Sequence, residues 1–111
     1  MDRENRHRLS EERSLALHRE VVRCVRDDPS LLAHARANVD RWLAQGTLAP
    51  AYAETWRRLL QGPLDALAAA LVDDSERARA LRQNTPFSFV LSPSARWLLW
   101  QKTRMDWEAG R

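Results

Sequence analysis

DDPSLLAHARANVDRWLAQG, residues 27–46, opens on Asp-Asp-Pro and closes on Gly. Proline has no N–H to lose at the first position of a helix, and its φ is already helical. A side-chain oxygen just before it can accept a hydrogen bond from the first turn. Asp28-Pro29 therefore predicts a helix start. Leu32, Ala35, Val39 and Trp42 follow at spacings of three and four, with Leu43 beside them, while Arg36, Asp40 and Arg41 fall elsewhere on the surface. Gly46 supplies the residue that ends helices in a left-handed turn. A helix with one apolar stripe must hide it against other helices, so this stretch predicts a helical bundle.

The rest of the chain repeats the same grammar. Upstream, Ser10 reads as an N-cap with Glu11 and Glu12 in the first turn, which leaves residues 1–9 as a flexible lead. Leu15, His18, Val22 and Val25 recur at helical spacing, flanked by Leu17 and Val21, to an end near Asp27, while Arg19, Arg23 and Arg26 share another face. Downstream, Pro50 predicts a third helix with Tyr52, Trp56, Leu59 and Leu60 inward and Gly62 at its end. PLDALAAALV, residues 63–72, predicts a fourth, with Leu64, Leu67, Leu71 and Val72 on one face and an Ala run that permits close approach. Asp73 and Glu76 have capping-box spacing before SERARALRQ, a short fifth helix closed before Pro86. FSFVLS, residues 87–92, alternates with a period of two but has no partner strand, so residues 84–92 read as an extended connector. Ser92-Pro93 then starts a last helix reaching about Trp107.

The expectation is an all-α fold, a single compact bundle of five to six short helices over residues 1–111 with a Trp-rich helix at the C-terminus. Leu32, Val39, Trp42, Trp56, Leu67 and Leu71 are its expected core.

Composition narrows the function classes. With 44% hydrophobic and 30% charged residues in 111, the chain suits one ordinary globular domain. No apolar run approaches the length that crosses a bilayer. The polar start MDRENRHRLSEER lacks a signal peptide's apolar stretch, and a lone cysteine, Cys24, fits a reducing cytoplasm. The net charge of +3 is too small to imply nucleic acid by itself. It is unevenly spread: +2 over residues 1–26, −3 over 27–74 and +4 over 75–111.

No catalytic or cofactor signature is present. His7, His18 and His34 stand singly, without metal-ligand spacing to one another or to Cys24, and His18 reads as a satisfied histidine at the core edge. Asp27-Asp28 and Asp73-Asp74 each precede a helix start, where capping accounts for them. The three glycines sit at predicted boundaries and leave no phosphate-cradling loop. The best helix-turn-helix candidate, residues 41–60, places Arg57 and Arg58 at the far end of its second helix, away from where base readers belong. No catalytic, metal or cofactor residues are expected, and the chain reads as a non-enzyme.

The concentration of Trp and Arg near the C-terminus is the main functional signal. RQNTPFSFVLSPSARWLLWQ, residues 82–101, leads into a helix on which Trp97, Trp100, Arg104 and Trp107 fall on one side. Leu98 and Met105 widen the apolar arc beyond what one docking face covers. Trp and Arg are also the residues enriched at interface hot spots. Arg79, Arg82, Phe87, Phe89, Trp97, Trp100, Lys102, Arg104 and Trp107 are therefore the expected partner-binding residues, with Arg104 stacked over a Trp ring. The expected partner is a protein or a second copy of the chain. The alternative is a nucleic-acid-binding regulator using the basic helices at both ends; no membrane partner is expected.

LVDDSERARALRQNTPFSFVLSPSARWLLW, residues 71–100, resembles the C-terminal part of small helical antitoxin-like proteins of bacterial toxin–antitoxin operons, with weaker echoes in LHREVVRCVRDDP and ARANVDRWLAQG. The resemblance implies a cytoplasmic protein that binds and neutralises a co-encoded toxin. It carries no catalytic motif.

Overall fold

A computed structural model describes residues 3–110, with side chains from residue 6. Six α-helices and one short 3₁₀ turn make up the fold: α1 (Arg3–Asp27), α2 (Leu31–Ala44), α3 (Pro50–Gln61), α4 (Leu64–Leu71), α5 (Glu76–Gln83), the 3₁₀ turn (Ser88–Val90) and α6 (Pro93–Ala109). The described residues contain no strand. This is the all-α bundle that the periodicity predicts. Helix α1 is the central rod, packed against α4, α5 and α6, while α2 pairs with α3 and α3 with α4.

The punctuation in the sequence accounts for most boundaries. Asp28 accepts hydrogen bonds from Ser30, at 3.2 Å from its backbone N–H and 2.6 Å from its hydroxyl, and so shapes the turn before α2. The helix itself begins at Leu31, two residues past Pro29, with Ser30 at its N-cap and no side-chain cap bond. At the other end of α2, Gly46 has φ +72°, and the Gly46 and Thr47 N–H groups bond back to Leu43 and Trp42 carbonyls at 3.1 and 3.0 Å. That is a Schellman motif, which satisfies carbonyls the helix would leave bare. Ser92 caps α6 by accepting from the Ala95 N–H at 3.1 Å, with Pro93 in the first turn.

Three expectations need correction. Helix α1 does not start at Ser10: it already runs from Arg3, so residues 3–9 are helical, while residues 1 and 2 lie outside the described set. Leu9 is buried and His7 pairs with Glu11 at 3.1 Å, so the extra turns are held by docking and by i,i+4 pairing. Residues 84–92 are not an extended connector. Thr85 Oγ1 accepts the Phe87 N–H at 3.2 Å, Asn38 Nδ2 donates to the Pro86 carbonyl at 3.1 Å, and Phe87 drops fully into the core, so the chain folds into a tight turn. The cap of α5 is Ser75, accepting from Ala78 N–H at 3.1 Å, in place of the expected Asp73–Glu76 box.

The core is built from Leu17, Val21 and Val25 of α1, Ala35 and Val39 of α2, Ala53, Trp56 and Leu60 of α3, Leu67 and Leu71 of α4, and Leu81 and Phe87. Trp56 and Phe87 meet edge-to-face with centroids 6.2 Å apart. Leu32 and Trp42 are only half-buried, packed against this cluster from the side, and Tyr52 faces outward. On α3 the buried face is Ala53, Trp56 and Leu60, so the helix is rotated slightly from the face expected to include Tyr52 and Leu59.

Candidate functional site

Helix α6 has no fully buried residue, although it is 17 residues long and carries three tryptophans. It lies along α1. Its inward side is half-buried and consists of Arg96, Leu99, Trp100, Thr103 and Trp107. Its outward side leaves Trp97 at 56%, Leu98 at 61% and Met105 at 69% exposure. Leu98 and Met105 lie two turns apart along one line of the helix, with Trp97 beside the first. The outward side thus carries three large apolar side chains among the exposed polar residues Gln101, Lys102, Arg104, Asp106 and Glu108.

The nine expected residues separate in the fold. Trp97 is the one that faces solvent as an apolar side chain. Trp100 and Trp107 belong to the docked side. Lys102 and Arg104 are exposed but engaged along their own helix, with Asp106 at 3.3 Å and Glu108 at 3.1 Å. Arg104 therefore does not stack over a Trp ring; the guanidiniums of Arg13 and Arg96 do, 5.9 and 6.0 Å from the Trp100 centroid. Arg79 ties α5 to its surroundings through Asp74 at 2.7 Å and Glu11 at 3.7 Å. Its hydrogen bond to Asp74 and the nearby Glu11 carboxylate hold its pKa above the ordinary value.

Arg82 and Phe87 are not surface residues. Arg82 is only 5% exposed and donates to the Leu71 carbonyl at 3.2 Å and the Asp73 carbonyl at 2.7 Å. It satisfies backbone groups where α4 ends, a structural duty. Phe87 is 0% exposed, and Phe89 stacks on the His34 ring at 3.8 Å. Both phenylalanines are spent on holding the turn before α6. Leu98 and Met105 belong with Trp97 on the open face, but neither is among the nine. The signal that could have found them is that apolar residues occur all round α6, so whichever face docks, another remains exposed.

A groove of about 750 Å³ runs between α1 and α6. Its basic residues Arg8, Arg19, Arg23 and Lys102 are interspersed with Glu12, Glu20 and Asp106, and Leu99 and Trp107 give it apolar lining. The mixed charge selects no ligand of one sign. Two of the three cations on the basic face expected on α1, Arg23 and Arg26, are engaged, while Arg19 is exposed. Arg23 is held by Glu20, and by Asp27 at 3.4 Å, while Arg26 reaches Asp65 of α4 at 3.0 Å.

One titratable group is fully enclosed. His18 Nδ1 lies 2.7 Å from the Ser14 carbonyl and Nε2 lies 2.8 Å from Thr85 Oγ1. Its pKa is lowered to about 4: burial pulls it down most, the Ser14 hydrogen bond opposes this, and the Arg82 cation adds to the lowering. The consistent arrangement is a neutral ring that donates from Nδ1 and accepts the Thr85 hydroxyl at Nε2. Thr85 then receives the Phe87 N–H, which links α1 to the turn before α6. His18 is thus a satisfied buried group. Among the described residues, no three His, Cys, Asp or Glu side chains gather closely enough to hold a metal, and no helix is long and apolar enough to cross a membrane.

No family model, curated protein or solved structure matches this chain.

Proposed function

We propose that this is a cytoplasmic, non-enzymatic interaction protein whose binding surface is the outward face of α6. The observation that carries the reading is the exposure of Trp97, Leu98 and Met105, each more than half open on a helix already docked by its other side. Side chains of this size left in water are costly in a monomer and are the usual anchors of helix-mediated recognition. Lys102 and Arg104 flank the anchors and supply a polar rim. The narrower form of the proposal, in which the partner is a toxin encoded beside it, rests on the likeness of residues 71–100 to antitoxin-like proteins.

The test is a paired measurement on Trp97→Ala and on Leu98→Ser/Met105→Ser. Melting should be nearly unchanged, because these side chains contribute little to the folded core. Association with a partner captured by the wild-type chain, or with itself, should weaken by about 2 kcal/mol or more, roughly thirtyfold, if Trp97 is a hot spot. Unchanged association with lowered melting would assign these residues to folding and remove the reading.

A further inference from the structure

Two guanidiniums converge on one ring beside the open face of α6. Arg13, from α1, and Arg96, from the first turns of α6, each lie about 6 Å from the Trp100 centroid. A cation over an indole face is favourable, but two cations over one indole repel each other. Six arginines meet a carboxylate, namely Arg23, Arg26, Arg57, Arg58, Arg79 and Arg104, and Arg36, Arg41 and Arg82 donate to carbonyl or amide oxygens. Among the described residues, neither Arg13 nor Arg96 meets a carboxylate, and neither side chain donates a hydrogen bond. Arg13 Nε is enclosed with no acceptor at all. The first turn of α6 adds to the imbalance, since it has no acidic residue to face the positive end of the helix. Both arginines remain partly exposed, so an anion can reach them from solvent.

We propose that Arg13 and Arg96, gathered on Trp100, form a carboxylate-accepting site that receives an acidic segment of the protein docking on α6. The inference rests on the reading of α6 as a docking surface and names the chemistry of its partner. Guanidinium is the side chain best shaped for carboxylate, which it grips through two parallel N–H bonds. The surroundings favour an acidic, partly apolar peptide over a nucleic-acid strand. A strand needs a continuous cationic track for its phosphates, but the next cations along α6, Lys102 and Arg104, are already held by Asp106 and Glu108. Trp100 itself is followed round the helix by Trp97, one turn back and exposed as an apolar side chain.

Poly-L-glutamate is the probe, titrated at low salt against the whole chain and followed by Trp fluorescence, with oligo-dT as the polyphosphate arm. The expected result is salt-sensitive binding of poly-L-glutamate that weakens at least tenfold in Arg13→Gln/Arg96→Gln. It should weaken little in Arg6→Gln/Arg77→Gln, which removes the same net charge at exposed arginines outside the cluster. Arg13→Lys/Arg96→Lys should fall between, keeping the charge and losing the fork. Arg96→Gln alone keeps the test decisive if the double variant loses helicity, because removing a cation from the start of α6 favours the helix. Poly-L-glutamate carries no apolar side chain, so Leu98→Ser/Met105→Ser should bind it normally; the two proposals can therefore fail separately. Absent binding, equal losses in both Gln pairs, or tighter binding of oligo-dT that depends on Arg13 and Arg96 would each overturn the assignment.

Discussion

Acidification from pH 7 to pH 4 should remove about 3 kcal/mol of stability through His18 alone. In the unfolded chain the imidazole titrates near its ordinary value of 6.5, whereas in the fold it is pulled down to about 4. Between those values the unfolded state holds a proton that the folded state refuses, so stability rises with pH through that window. The contribution is fully present above pH 6.5 and is lost as pH falls towards 4. Each pH unit in the window contributes about 1.4 kcal/mol, which gives the total of roughly 3 kcal/mol. The structural cause is specific: protonated Nε2 can no longer accept the Thr85 hydroxyl, and the new charge is enclosed near Arg82. Urea unfolding at pH 7, 6, 5 and 4, on the wild type and on His18→Gln, isolates the effect from the carboxylates common to both. His18→Gln should start about 1–3 kcal/mol less stable at pH 7, because its amide fits the Ser14 and Thr85 partners poorly. It should then lose less with acid than the wild type. Parallel pH dependence in the two proteins would refute the enclosed, neutral His18 and the link it makes to Thr85.

Three further outcomes follow from the packing, each read by chemical denaturation. Arg82→Ala should cost about 1–3 kcal/mol by leaving the Leu71 and Asp73 carbonyls without their buried donor, and a neutral result would mean that water replaces the guanidinium. Gly46→Ala should cost about 1–2 kcal/mol, a purely conformational penalty, since φ is +72° and nothing lies within 4 Å of an added Cβ. Leu67→Ala, at a site 1% exposed, should cost about 2–5 kcal/mol, and a loss below 1 kcal/mol would contradict the core that places α4 against α1 and α3.

Much of this fold is legible in single residues. Pro50 and Pro93 mark helix starts because proline's fixed φ suits a first turn, Pro63 stands just before α4 as its N-cap, and Gly46 marks an end because only glycine takes its φ cheaply. What could not be read are contacts between residues far apart in sequence. His18 meets Thr85 across 67 positions, and Asn38 reaches Pro86 across 48. Those two bonds, with Phe87 in the core, turn an alternating FSFVLS into a knot instead of an extended segment. Local alternation had no competitor in the sequence, but tertiary anchoring outweighed it. Arg82 was misread for the same reason: a cation reads as surface until the fold surrounds it with carbonyls.

Helix α6 fails differently, and its failure bears on function. On α3 the apolar residues cluster well enough to fix the docked face to within one position, since Trp56 and Leu60 are shared by expectation and fold. On α6, Trp97, Leu98, Leu99 and Trp100 are consecutive, so at about 100° per residue they point in every direction round the axis. No wheel can choose among them. The fold chooses Leu99 and Trp100, extended by Thr103 and Trp107, and the choice leaves Trp97, Leu98 and Met105 in water. Residues that serve folding alone would leave the outer side polar, as α2 does with Arg36, Asp40 and Arg41. Three large apolar side chains left open on a helix whose other side is docked, near two arginines stacked on Trp100, fit a surface with two duties. One side holds α6 to α1, and the other is the side proposed to receive a second protein.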